Sequence, residues 1–233
     1  VIVLPDKDSA EYCAADLYNL IEGDKVFFLP DSGRALEKSN YKASLGVQRT
    51  SAIGSIVDFK EGQLYIVTYP SALEEPVPDT KKIKDSLLKL ETGKDISHEE
   101  IVNLLFESGF ERVDFVAEPG QFAIRRAIVD IFSYSYNDPF RVSFFGDEID
   151  SINIFDCNTQ LSKEKVSKAE IYPDIVTSDE SGEDIISLVD ILPENTLFWL
   201  DSSDMYKNKE FWPLPDRFRK IYMEVPLSRQ NED

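Results

Sequence analysis

The chain has 233 residues, with 25 Lys and Arg against 44 Asp and Glu, a formal net charge of -19 and 42% hydrophobic residues. That length holds one large domain or two to three small ones of ~100–200 residues, and so acidic a surface argues against a stand-alone duplex-binding role, because phosphate contacts need clustered Lys and Arg. No apolar run approaches the ~18–20 residues of a membrane span, and Cys13 and Cys157 form neither a C-x-x-C pair nor a metal-spaced set, which suits a reducing compartment and points to the cytoplasm.

Residues 1–85 read as an α/β lobe. "VIVL" is a strand, "KDSAEYCAADLYNLIEG" an amphipathic helix closed by Gly23, and "KVFFLP" a second strand. After a loop containing Gly33, Leu45, Ile53, Ile56 and Val57 recur at helical spacing, and "QLYIVTYP" supplies a third strand. Strands alternating with helices predict a parallel sheet. "PVPDTKKIKD" lacks apolar periodicity and reads as a connection between domains. The first residue is Val rather than Met, so the chain is expected to be a piece of something longer.

Residues 86–174 change in texture and predict an α+β domain. "SLLKLETG" is a short strand, and "DISHEEIVNLLFESGF" is a helix with a Ser97/Glu100 capping box and a Gly109 stop. His98, the single histidine, is expected in the exposed first turn, away from ligand-spaced neighbours, and is assigned no catalytic or metal role. From Arg112 to Phe155, alternating residues are broken by turns at 118–120, 136–139 and 146–148, which predicts four short antiparallel strands. Residues 175–233 are expected to return to the lobe: the acidic linker "TSDESGED", a helix around "DIISLVDIL", the strand "NTLFWLD", and a tail from Lys207 left unassigned.

A search for catalytic chemistry finds none. Gly93-Lys94 is followed by Asp95 and lacks the further glycine of a phosphate loop. Asp201 ends a hydrophobic strand, yet Ser202 and Ser203 follow where a catalytic carboxylate would stand, and Asp147, Glu148 and Asp150 have no His or Cys beside them. What stands out is arginine. Between Lys94 and Lys163 there is no lysine, while Arg112, Arg125, Arg126 and Arg141 all sit in or beside predicted strands. Reading with period 2, Arg112 opposes Val113 and Phe115, Arg125 opposes Phe122 and Ile124, and Arg141 opposes Phe140, Val142 and Phe144. Three guanidinium groups are thereby expected on one open sheet face. They serve either internal pairing with Asp114, Glu118, Asp130 or Asp150, worth little at a surface, or docking onto acidic groups of another protein.

The segments "RVDFVAEPGQFAIRRAIVDIF", "PFRVSFFGDEIDSINIFD" and "TQLS" resemble the domain through which the excision-repair helicase UvrB and the transcription-repair coupling factors (Mfd) bind UvrA. "VIVLPDKDSAEYCAADL" and "LYIVTYPSAL" are more weakly similar to the preceding lobe of the coupling factors. UvrB-like chains carry a long tyrosine-rich hairpin in that lobe; here Pro30 to Gln48 is short, with Tyr41 its one aromatic, which favours the N-terminal, UvrB-like module of a coupling factor. The resemblance implies a degenerate RecA/helicase-like lobe with an inserted UvrA-interaction domain, acting as a monomeric adaptor in transcription-coupled nucleotide excision repair. Arg112, Arg125 and Arg141 are implied as UvrA contacts, with Phe122, Arg126 and Ser143 secondary. Ala123 departs from a family arginine, Ser143 from an acid, and Arg126 from a glycine. No cofactor or enzymatic activity is implied for this segment; ATP and magnesium belong to the motor of the full-length translocase, which reaches RNA polymerase and DNA through other domains and masks the docking face with a C-terminal domain. The alternative is a fragment of an active UvrB-type ATP-dependent helicase subunit, whose phosphate loop would lie upstream of Val1.

Overall fold

The computed structural model describes residues 1–21, 25–33, 40–136, 138–175, 185–201 and 214–223, with side chains for all of these except 40–43. Gly23, the acidic linker and residues 207–213 and 224–233 of the tail lie outside the described residues. In chain order the lobe begins with β1 (Ile2–Val3), α1 (Lys7–Leu20), β2 (Val26–Leu29), α2 (Asn40–Asp58), β3 (Tyr65–Thr68), α3 (Pro70–Glu74), β4 (Val77–Pro78) and α4 (Thr80–Asp85). A second unit follows as β5 (Leu88–Glu91), α5 (His98–Glu107), β6 (Glu111–Arg112), β7 (Gln121–Arg125), β8 (Ile128–Ile131), β9 (Phe140–Phe145), β10 (Glu148–Phe155), β11 (Ser162–Val166) and β12 (Lys168–Ile171). The chain then returns through β13 (Ile185–Ile186), a 3-10 turn (Leu188–Ile191), β14 (Leu197–Asp201) and β15 (Arg219–Met223).

The lobe is built on a parallel sheet in the order β15-β14-β1-β3-β2. α1 starts where the Asp6 carboxylate accepts the Ser9 N–H at 2.8 Å, and its small residues Ala10 and Ala14 let it lie close over Val26 and Val67. On the opposite face Ala52, Ile53 and Ile56 of α2 join Val3, Leu29, Ile66, Phe198 and Leu200 in the main core. Arg49 of α2 is buried, and its guanidinium donates to the Pro30, Ala72 and Glu75 carbonyls at 2.8, 3.0 and 2.9 Å, tying the end of β2 and the C-terminus of α3 to α2. Two expectations need correction. The supposed connection at 76–85 belongs to the lobe core: β4 pairs with β13, and Val77 and Ile83 are buried in it. Two anchors so far apart leave no periodic trace. Likewise the described part of the expected helix, 185–192, is not helical; the β-branched Ile185-Ile186 pair takes the strand offered by β4, and only one 3-10 turn fits before Pro193.

The second unit centres on six strands in the order β11-β10-β9-β8-β7-β6. All neighbours are antiparallel except β6 and β7, which run parallel. One face, carrying Phe122, Val129, Ile131, Phe140, Val142 and Ile152, packs on Ile101 and Leu105 of α5, and the β5–β12 ribbon adds Leu90, Ala169 and Ile171. The predicted cap is present, with Ser97 Oγ accepting the Glu100 N–H at 3.1 Å. His98 is not exposed as expected: its ring stands edge-on to Phe144 at 5.7 Å and its Nε2 is buried. As the chain re-enters the lobe, the Tyr172 hydroxyl donates to the Asp58 carboxylate and its backbone N–H donates to Ser133 Oγ at 2.9 Å. Burial, then the hydrogen bond to Asp58, pushes the Tyr172 phenol well above its ordinary range.

Gly120 opens β7 with φ +84°, and a Cβ there would lie 2.2 Å from the Tyr134 hydroxyl oxygen. Gly120→Ala combines a disfavoured backbone with a clash, so urea denaturation should show a loss of roughly 2 kcal/mol.

Candidate protein-docking face

The face of the six-stranded sheet turned away from α5 carries the residues of interest. Cross-strand register aligns Arg125, Ile128 and Ser143 in one row and Ala123, Asp130 and Arg141 in the next, since directly paired residues point to the same side. Period 2 along β9 adds Phe145 to that side. Beneath lies a small apolar cluster of Val116, Ala123, Phe132 and Phe155, with Val113 packed against it.

Arg141 is engaged on three sides. Its Nε and Nη2 donate to the two Asp130 carboxylate oxygens at 2.7 and 2.9 Å, Nη2 also donates to Gln160 Oε1 at 2.9 Å, and the group lies over the Phe155 ring at 4.1 Å. Asp130 is 2% exposed and Arg141 20%. The hydrogen bonds to Asp130 hold the Arg141 guanidinium above its ordinary pKa, so it stays charged. Of the internal partners open to it in the sequence, register selects Asp130.

Arg125 is placed differently. It lies over the Phe115 ring at 3.9 Å and donates from Nη2 to the Asp114 carbonyl at 3.0 Å; among the described residues no carboxylate pairs with it. Phe115 is 62% exposed and Phe145, along the same face, 81%. An arginine held flat on an exposed ring, on a sheet face that carries a second exposed ring, offers a planar donor fork and apolar area together.

The expectation that three arginines share this face holds for two. Arg112 pairs in register with Phe122, which places it on the α5 side. β6 is a two-residue strand parallel to β7, and its Val113 flank, not its arginine, turns toward the Arg125 side. Arg126 is exposed and adopts φ +51° in the two-residue turn between β7 and β8, so the glycine-type conformation is kept without glycine. Ser143 is half-buried at the end of the Arg125 row, whereas Phe122 is wholly buried, edge-on to Phe106 of α5 at 5.0 Å. Sequence reading missed Phe145, Phe115 and Gln160. The first was signalled by "FF" at 144–145, since in a strand only one of two adjacent rings faces the core.

Among the described residues no three His, Cys, Asp or Glu side chains could hold a metal ion, and no helix is long and apolar enough to cross a membrane.

Residues 88–175 match the family model of the UvrB interaction domain. The chain is 31% identical over 166 residues to the transcription-repair-coupling factor of Bacillus subtilis (strain 168), a match covering 70% of this chain and 14% of that protein. It is 26% identical over 224 residues to the transcription-repair-coupling factor of Staphylococcus aureus (strain USA300), covering 95% and 19% respectively. The chain thus spans less than a fifth of the length of these curated relatives.

Two stability measurements follow from the geometry. Arg126→Gly should raise stability by about 1 kcal/mol in chemical denaturation, because the left-handed backbone then costs nothing. Arg141→Ala should lower it by about 3 kcal/mol, because the buried Asp130 carboxylate loses its partner.

Proposed function

Because residues 88–175 match the UvrB interaction domain within a chain similar to transcription-repair-coupling factors, we propose that the chain is the UvrA-recruiting adaptor module of such a factor, acting in transcription-coupled nucleotide excision repair. The observation that carries this reading is Arg125, stacked on an exposed Phe115 and paired with no carboxylate among the described residues, on a sheet face that also exposes Phe145. UvrA supplies the missing acid. Arg141 shapes the centre of the face and gives the partner what Asp130 leaves unused; Arg126 and Ser143 lie at its margin, and Arg112 contributes from the sheet edge beside α5.

The lobe, with its parallel sheet, is proposed to be a degenerate RecA-like fold that carries the docking domain without hydrolysing ATP. In the full-length cytoplasmic protein, ATP and magnesium act in a separate motor, and RNA polymerase and DNA are engaged by other domains.

Arg125→Ala is the direct test, since Arg125 holds only a backbone carbonyl and a solvent-facing ring and its loss leaves folding intact. Affinity for purified UvrA, measured by surface plasmon resonance, should fall by about 2 kcal/mol or more, roughly thirtyfold. Arg125→Lys should also bind weakly, because the flat stack and the fork are lost. A correctly folded Arg125→Ala protein with wild-type affinity would defeat the proposal.

A further inference from the structure

Arginine has five N–H donors, and on Arg141 two go to Asp130 while Gln160 receives two more. The Gln160 side-chain Oε1 accepts from Nη2 at 2.9 Å, and its backbone carbonyl accepts weakly from Nη1 at 3.5 Å. One N–H on Nη1 remains, together with the guanidinium face turned away from Phe155.

Gln160 itself is held in an unfavourable conformation, φ +62°. Its Nε2 donates to the Cys157 carbonyl at 2.8 Å and its backbone N–H to the Asp156 carbonyl at 2.8 Å. The Asp156 carboxylate accepts from the Asn158 and Thr159 backbone N–H groups at 3.0 and 2.8 Å and from the Thr159 hydroxyl at 3.2 Å. Those bonds hold that carboxyl below its ordinary pKa, keeping it ionised as an acceptor. The loop is therefore over-determined, and the residue it forces into the left-handed region aims both of its acceptors at Arg141. Strain that persists in this way marks positions where geometry is being held for a purpose. Among the described residues just one other non-glycine residue has a positive φ, Arg126, and it adjoins Arg125 on the same face.

We infer that Gln160 is a positioning residue of the docking face: it fixes the plane and rotation of the Arg141 guanidinium on Phe155, so that the remaining N–H and open face meet a partner carboxylate in one orientation. Asp130 grips the Nε/Nη2 edge and leaves the rigid plane free to tilt about that edge; the Gln160 acceptors on Nη2 and Nη1 oppose the tilt. A neutral amide is suited to the second edge, because a carboxylate there would over-neutralise the arginine and repel an acidic partner. The inference rests on the docking reading, and its test separates the two.

Gln160→Gly removes the amide while relieving the backbone, so it keeps the turn. Thermal stability should be unchanged or higher, whereas UvrA affinity should fall about tenfold, the loss expected when one long side chain must be ordered at binding. In the free protein the Arg141 Nε–H resonance should lose order in ¹⁵N relaxation. Wild-type affinity in the variant, or an undisturbed Arg141 resonance, would overturn the inference. Failure of the wild-type chain to bind UvrA would instead sink the docking reading, with the Arg141 resonance still deciding whether Gln160 positions it.

Discussion

Asp130 places a carboxylate at 2% exposure in the middle of a sheet, and the sheet face that carries Arg141 is arranged around that charge. An unpaired ion there would cost several kcal/mol. Cross-strand register puts Arg141 directly opposite, Phe155 supplies a ring beneath it, and Gln160 closes its far edge. The buried pair is weak evidence for stability in itself, since desolvation offsets most of the attraction. Its effect is geometric. It makes the centre of the face polar and rigid, with a small apolar cluster below, and leaves to the rim the exposed rings Phe115 and Phe145 and Arg125, which pairs with no carboxylate among the described residues.

The parts of this arrangement legible in the sequence are those set by local periodicity. Alternation along β9 correctly divides Phe140, Val142 and Phe144 from Arg141 and Ser143, and Ser97 marks the start of α5. What was illegible depends on pairing between distant residues. Arg112 lies on the α5 side because β6 joins β7 in parallel after the intervening loop, a register that period 2 within either strand does not encode. Asp130 was one of four acids available to Arg141, and only strand order picks it. Val77 and Ile185 reveal themselves as strand residues only when β4 and β13 meet, more than a hundred residues apart in sequence. Gln160 lies in the matching segment "TQLS", but nothing in that segment marks its role, because glutamine in a polar loop is commonplace until its backbone angle is known.

The lobe constrains the face through α2. Arg49 fastens that helix to three backbone carbonyls that would otherwise be unsatisfied near the sheet's end. Further along the same helix, Asp58 accepts from Tyr172, and Thr50 Oγ1 accepts the Ile175 N–H at 3.3 Å. Gly54 lies between them, where an added Cβ would stand 3.1 Å from the Tyr172 ring, so the approach is close as well as hydrogen-bonded. Tyr172 in turn donates its backbone N–H to Ser133, two residues beyond β8, the strand that bears Asp130. A short covalent and hydrogen-bonded path therefore runs from the lobe helix to the strand at the centre of the face.

This geometry explains why arginine rather than lysine stands at positions 141 and 125. Arg141 must lie flat on Phe155, present two parallel donors to Asp130 and offer further donors in the same plane to Gln160. A lysine ammonium has three tetrahedral donors and no plane, so it could not satisfy Asp130 and Gln160 while stacking. Arg125 faces the same demand in a more exposed setting, lying on Phe115 while bonding the Asp114 carbonyl. In both cases the ring sets the plane and an in-chain acceptor sets the rotation, leaving the remaining donors in fixed directions. Planarity, more than charge, is what the face selects, and an acidic chain can carry it because so few cations are needed once each is aimed.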